Sequence, residues 1–188
     1  TFSQCTALSE AISLFHRLPY RTALSWASII SMYIDLGMYI GALTLYSCML
    51  EDDVEPNKYI FVSLIRACSN IPDLQWGQYL HAQAVKYSCV SELFVASCLI
   101  DMYIKCRSVS ESYKLFNISI DQDEVTLGSI MSGYVQDDKN LIALQLFEKM
   151  QWEGFTPDSV TLNCISKVKA RNSKCFPSNQ KESLKTKT

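Results

Sequence analysis

The sequence predicts an all-α protein, a right-handed α-solenoid of stacked helix-turn-helix repeats, and three observations carry that expectation. Apolar doublets return at regular intervals: Leu14-Phe15, Leu45-Tyr46, Leu115-Phe116 and Leu146-Phe147 fall 31, 70 and 31 residues apart, and 70 divides into two units of 35. Around each doublet, apolar residues recur at i, i+3, i+4 and i+7, the spacing of one helix face. Only six Gly and five Pro in 188 residues, with few alternating β-branched runs, leave little from which to build a sheet.

Residues 93–123 form the cleanest unit. Leu99, Ile100 and Tyr103 mark the face of a first helix, and Leu115 with Phe116 mark a shorter second one. Between them Ser108-Val109-Ser110-Glu111 has the capping-box pattern, in which Ser108 caps the second helix and Glu111 reaches back to it. Aligned to this unit, the chain divides into a partial repeat at 1–22, complete repeats at 23–57, 58–92, 93–123 and 124–158, the start of a truncated repeat at 159–170, and a tail at 171–188. One apolar stripe recurs in the four first helices: Trp26, Ile29, Ile30, Tyr33; Phe61, Leu64, Ile65, Cys68; Ala96, Leu99, Ile100, Tyr103; and Leu127, Ile130, Met131, Tyr134. The second helices repeat another, from Ala11, Leu14, Phe15, Leu18 through Ala42, Leu45, Tyr46, Met49 to Ala143, Leu146, Phe147, Met150. No helix pair of this kind can bury its own stripe, so stacking of successive pairs is what makes a core. Tyr46, Phe116 and Phe147 are expected between repeats. Pro56 and Pro157 close two units, and Gly154 stands where a helix C-terminal cap is needed.

The stripe thins after the fourth unit: Leu162 and Ile165 hold apolar slots, but Ser166 and Lys169 fill the next two. From Lys167 onward seven Lys or Arg face one acid, the composition of a disordered basic tail. Thr1 in place of a methionine implies a natural amino terminus further upstream. No apolar run is long enough to span a bilayer.

The side chains that most often carry chemistry are sparse. Eight cysteines occur with no C-x-x-C pair, which suits buried thiols under reducing conditions rather than a disulfide framework or a zinc site. No metal or other cofactor is expected. The two histidines, His16 and His81, lie in different units, and His81 takes the slot that holds Phe or Tyr elsewhere, so a packed ring is the expected role. Asn117-Ile118-Ser119 matches a glycosylation sequon but falls within a second helix.

The units resemble pentatricopeptide repeats of the plant class that mixes long, normal and short motifs. LFVASCLIDMYIKC followed by ESYKLF is similar to that class's short motif; YIFVSLIRACSNIPDLQWGQYLHAQAVK is similar to its long motif; LSWASIISMY, VTLGSIMSGY and ALQLFEKMQWEGFTPD are similar to its normal motif. The resemblance implies sequence-selective binding of single-stranded RNA, one base per repeat, in RNA processing or C-to-U editing in mitochondria or chloroplasts. It also implies which residues meet the base. The fifth and last residues of a repeat read its edge, giving Ala27 with Asn57, Val62 with Glu92, Ser97 with Asp123, and Gly128 with Asp158, while Asn163 begins an unfinished pair. The second residue packs on the base, giving Leu24, Tyr59, Phe94 and Val125. Ser97 with Asp123 is the pair expected to favour guanine, since a carboxylate accepts from its N–H edge. The plainer role for Asp123 is an acid at a helix start.

Two features pull against RNA. The side chains of Ala27 and Gly128 have no hydrogen-bonding group, and residues 1–166 carry 10 basic against 18 acidic side chains, which is unfavourable for phosphate attraction unless a basic stripe lines the groove. The alternatives are a helical scaffold that binds basic peptides and a decayed gene fragment without function; the alternation of 31 and 35 residues separates the chain from the 34-residue scaffold repeat. Some members of the resembled class end in a zinc-dependent deaminase, whose His-x-Glu and Cys-x-x-Cys are both missing here: His16 is followed by Arg17-Leu18 and His81 by Ala82-Gln83. The expectation is a specificity factor rather than an enzyme, with an editing deaminase or another editing factor recruited in trans.

Overall fold

The computed structural model describes residues 2–91, 93–119 and 122–175. All regular structure in them is helical, and the fold is an all-α helical-repeat solenoid. The helices are α1 (Phe2–Arg17), α2 (Ala23–Asp35), α3 (Tyr39–Glu51), α4 (Lys58–Asn70), α5 (Leu74–Lys86), α6 (Leu93–Lys105), α7 (Val109–Ile118), α8 (Glu124–Gln136), α9 (Asn140–Trp152) and α10 (Ser159–Cys175). The first helix of each pair starts at Ala23, Lys58, Leu93, Glu124 and Ser159, steps of 35, 35, 31 and 35 residues. The chain forms two compact units, Thr1–Gln122 and Asp123–Thr188.

In the first unit α2, α4 and α6 lie side by side, each packed against its own second helix, while α3 and α5 also reach the first helix of the next pair. The repeated stripes are what lies between them. Trp26, Ile29, Ile30, Phe61, Leu64, Ile65, Cys68, Ala96, Leu99, Ile100 and Tyr103 are buried, with Tyr46 and Phe116 buried from the second helices. Phe15 meets Trp26 edge-on at 4.6 Å, and Tyr46 meets Phe61 at 6.3 Å, so aromatic rings join consecutive repeats. Tyr33 is only half-buried; its ring lies so close to α3 that a Cβ on Gly41 would come 2.6 Å from Cδ1, and glycine is what permits the approach. In the second unit α8 packs on α9 and α10, with Leu127, Ile130, Met131, Ala143, Leu146, Phe147 and Met150 buried.

Three expectations are corrected at the ends of the packed layers. Leu14 and Leu18, assigned to the buried stripe of the first partial repeat, are 62% and 41% exposed. Among the described residues α1 packs on α2 alone, which covers one flank of it and leaves the other open. Leu162 is 50% exposed, and α10 instead buries Thr161, Cys164, Ile165 and Val168, because that face is the one turned to α8 and α9. Val168 also carries the helix past the expected break: α10 runs to Cys175, with Lys169 6.0 Å from the Phe147 ring centroid and Arg171 3.4 Å from Asp138. The start of the basic segment is therefore ordered helix through Cys175; residues 176–188 lie outside the described residues.

Helix ends follow one rule that only Gly154 disclosed in the sequence. The residue after the C-cap has positive φ six times, at Gly37, Asp53, Ser88, Arg107, Asp138 and Gly154. At Gly154 the chain turns back with Gly154 N–H donating to Gln151 O and Phe155 N–H to Met150 O, the two bonds that close a helix through a left-handed residue. The capping box at Ser108 is not formed. Ser108 is the N-cap by position, but its side chain makes no cap hydrogen bond, and Glu111 pairs with Lys114 at 2.7 Å. Its ψ of 52° lies outside the extended range of the first-helix caps, where a side chain bonds back to the helix.

Candidate nucleic-acid interface

At Asn57, Asp123 and Asp158 the last residue of a repeat is also the N-cap of the next first helix. Asn57 Oδ1 accepts from Ile60 N–H at 3.1 Å, Asp123 Oδ1 from Thr126 N–H at 2.7 Å, and Asp158 Oδ1 from Thr161 N–H at 2.7 Å. Asp123 is held twice, since Thr126 Oγ1 donates to its Oδ2 at 2.7 Å. The helix-start role for Asp123 is thus what the structure shows. Capping occupies part of each carboxylate and leaves further lone pairs open. The Thr161 amide, which donates to it, holds the Asp158 carboxyl below its ordinary value.

The second residue of each first helix is exposed and apolar throughout: Leu24 is 74% exposed, Tyr59 67%, Phe94 71% and Val125 61%. Val160, 35 residues after Val125 and not among the residues expected to pack on a base, takes the same place on α10 at 51%. Large apolar side chains gain nothing for folding at such exposure. Their repetition at one helical position makes this row the candidate contact surface.

The fifth residues are less uniform. Ala27 and Val62 are half-buried, and Ser97 is exposed. Ser97 Oγ donates to Leu93 O at 2.9 Å, so its lone pairs are what it offers outward. Gly128 is buried: a Cβ there would stand 2.5 Å from Thr161 Oγ1 and 3.6 Å from Asp158 Oδ1. The structure therefore brings Gly128 and Asp158 together, with Thr161 filling the space that a side chain at 128 would take. Asn163 is exposed on α10. Ser97 belongs to the first unit and Asp123 to the second. Glu92, the expected partner of Val62, lies outside the described residues.

Acidic residues fall both in the connections and at the helix starts, where Asp123 and Glu124 open α8 and Asp158 caps α10. Asp52, Asp53 and Glu55 fall in the connection after α3, and Asp137 with Asp138 in the connection after α8. On α2, α4 and α6 the charged residues are Lys58, Arg66 and Lys105 against Asp35 and Asp101.

The remaining titratable groups are packed. His81 Nδ1 lies 2.9 Å from the Tyr103 hydroxyl, the rings meet edge-on at 5.7 Å, and burial lowers the imidazole pKa against a smaller opposing effect of Glu111. Burial pushes the Cys68 thiol up to about 12, the state of an unreactive core thiol. Among the described residues no three His, Cys, Asp or Glu side chains gather closely enough to hold a metal ion. Among the described residues no helix is long and apolar enough to cross a membrane.

The family model for the PPR repeat matches residues 24–54 and 125–155, each beginning at one of the exposed apolar residues. A chloroplastic pentatricopeptide repeat-containing protein of Arabidopsis thaliana is 35% identical over 166 residues, covering 88% of this chain and 20% of its own length. A mitochondrial one from the same plant is 32% identical over 158 residues, covering 84% and 25%. The chain thus spans a fifth to a quarter of these relatives. The crystal structure of PPR10 from maize superposes with a TM-score of 0.69 at 16% identity, over 82% of this chain and 23% of that one. PPR10 in complex with an 18-nt psaJ RNA element gives 0.63 at 16% identity, over 92% and 27%. Helix pairs recurring every 31 or 35 residues, the matched repeats and these relatives lead to one conclusion: the chain belongs to the pentatricopeptide repeat family.

Proposed function

We propose that this chain binds single-stranded RNA through the exposed faces of its first helices, one base per repeat, as part of a specificity factor for organellar RNA processing or C-to-U editing. The observation that carries the reading is the row of exposed apolar side chains at a single helical position, Leu24, Tyr59 and Phe94 in the first unit and Val125 in the second. Unstacked bases are held by packing on such side chains. PPR10 bound to an RNA element supplies the precedent in the same fold.

Asn57, Asp123 and Asp158 then supply polar edges at helix starts, where a base edge can share an oxygen already bonded to the helix. Ala27 and Gly128 contribute shape rather than hydrogen bonds. Ser97 contributes an acceptor. The steps of 35, 35, 31 and 35 residues support the class that mixes motif lengths, and chloroplastic and mitochondrial relatives support an organellar setting. Any deamination would come from a separate catalyst recruited in trans.

An electrophoretic shift assay at low salt tests the reading with organellar single-stranded RNA, a duplex of the same sequence and a basic peptide competitor. Binding of the single strand in preference to the duplex is expected. Binding of the peptide with none of the RNA would turn the reading toward a protein scaffold.

A further inference from the structure

We propose that Arg66 is a phosphate-binding residue of this interface and that Asp101, in the same slot of the next repeat, works against it; the inference rests on the RNA-binding reading above. The residue seven places after each exposed apolar side chain lies about two turns further along the same helix face. In the first unit that slot holds Ser31 after Leu24, Arg66 after Tyr59 and Asp101 after Phe94. Ser31 Oγ on α2 lies 3.3 Å from Ser63 Oγ on α4, so neighbouring first helices approach closely along this stretch.

The three cations on these helices are in different states. Lys105 Nζ is 2.8 Å from Asp101 Oδ2, and the pair cancels. Lys58 sits at the apolar end, its Nζ 5.9 Å from the Tyr59 ring centroid. Arg66 is exposed and, among the described residues, its guanidinium meets no carboxylate at ion-pair distance. Arg66 on α4 and Asp101 on α6 hold the same slot of two helices that lie side by side, so both stand about the junction between them. A strand whose bases pack on Tyr59 and Phe94 must carry its linking phosphate past that junction. A guanidinium suits that phosphate because its fork donates two parallel hydrogen bonds to the oxygens. Asp101 repels the same group and ties up Lys105.

The test measures affinity of the full chain for a single-stranded RNA as salt is raised. Each phosphate neutralised on a single strand contributes about 0.7 to the slope of log affinity against log salt. Arg66→Gln is expected to lower the slope by about 0.7, by the same amount for RNAs of different sequence, while Arg66→Lys retains it. Asp101→Asn is expected to tighten binding severalfold at low salt. RNA binding by the wild type with an unchanged slope in Arg66→Gln overturns the proposal and leaves the RNA-binding reading standing. No RNA binding by the wild type at low salt overturns that reading, and the proposal with it. Should Arg66→Gln lose its fold by circular dichroism, Asp101→Asn decides: tighter binding supports the assignment and unchanged binding overturns it.

Discussion

The two faces of the first helices obey different rules. On the buried face every repeat supplies the same kind of residue at the same four places, and nearly all of them are sealed: Ile30, Phe61, Leu64, Ile65 and Leu99 have no more than a trace of exposed surface. On the outward face one place is just as regular, the apolar second position, yet it is mostly exposed. Beside it the fifth position runs Ala27, Val62, Ser97, Gly128, and the ninth runs Ser31, Arg66, Asp101, Ser132. Packing enforces regularity on the buried face because each stripe must fit the next repeat. Nothing in folding enforces it at an exposed Leu, Tyr, Phe or Val. The difference assigns the buried face to the fold and leaves the regular exposed row as the contact surface of the proposed function.

Substitutions can break that division, and the largest effect belongs to the buried side. Phe116→Ala should cost roughly 3–5 kcal/mol, read by urea or thermal unfolding, because the ring is 1% exposed. Tyr59→Ala should change stability by less than about 0.5 kcal/mol while weakening RNA binding by roughly 1–3 kcal/mol. Asn57→Ala removes a cap and should cost about 1 kcal/mol, whereas Ser108→Ala should be close to neutral, since that side chain makes no cap bond. Ser88→Gly relieves a left-handed residue at φ 56 and should add about 0.5 kcal/mol.

The carboxylate caps sharpen the division by pH. The Asp158 carboxyl is held below its ordinary value of 3.8, first by the Thr161 amide. Its contribution is therefore complete above that value and is lost as pH falls through the lower folded one. Acid unfolding of Asp158→Asn should show a smaller dependence on pH below about 4 than the parent.

Much of the buried face was legible in the sequence because its period is fixed by helix geometry: Trp26, Ile29, Ile30 and the stripes that follow them are buried as their spacing requires. Periodicity does not say where a packed layer stops, which is why Leu14, Leu18 and Leu162 proved exposed although they fit the pattern. Nor does it reveal residues such as Leu43 and Met102, which are buried outside the stripe by neighbouring helices. The outward face was legible at the second position. The structure added that Asn57, Asp123 and Asp158 are helix caps as well as candidate base contacts, a double role set by backbone geometry at the junction of two repeats. It also showed Gly128 covered by Thr161, thirty-three residues away in the chain.

The measurement that tests the central claim most directly pairs thermal unfolding with RNA affinity for the double variant Tyr59→Ala, Phe94→Ala. Both side chains belong to the first unit and lie on the exposed row. The account predicts an unchanged melting temperature and an affinity for single-stranded RNA reduced by at least about thirtyfold, since two base-packing contacts are lost at a lower limit of about 1 kcal/mol each. A lowered melting temperature with unchanged RNA affinity would contradict it, since the exposed row would then serve the fold and not a ligand.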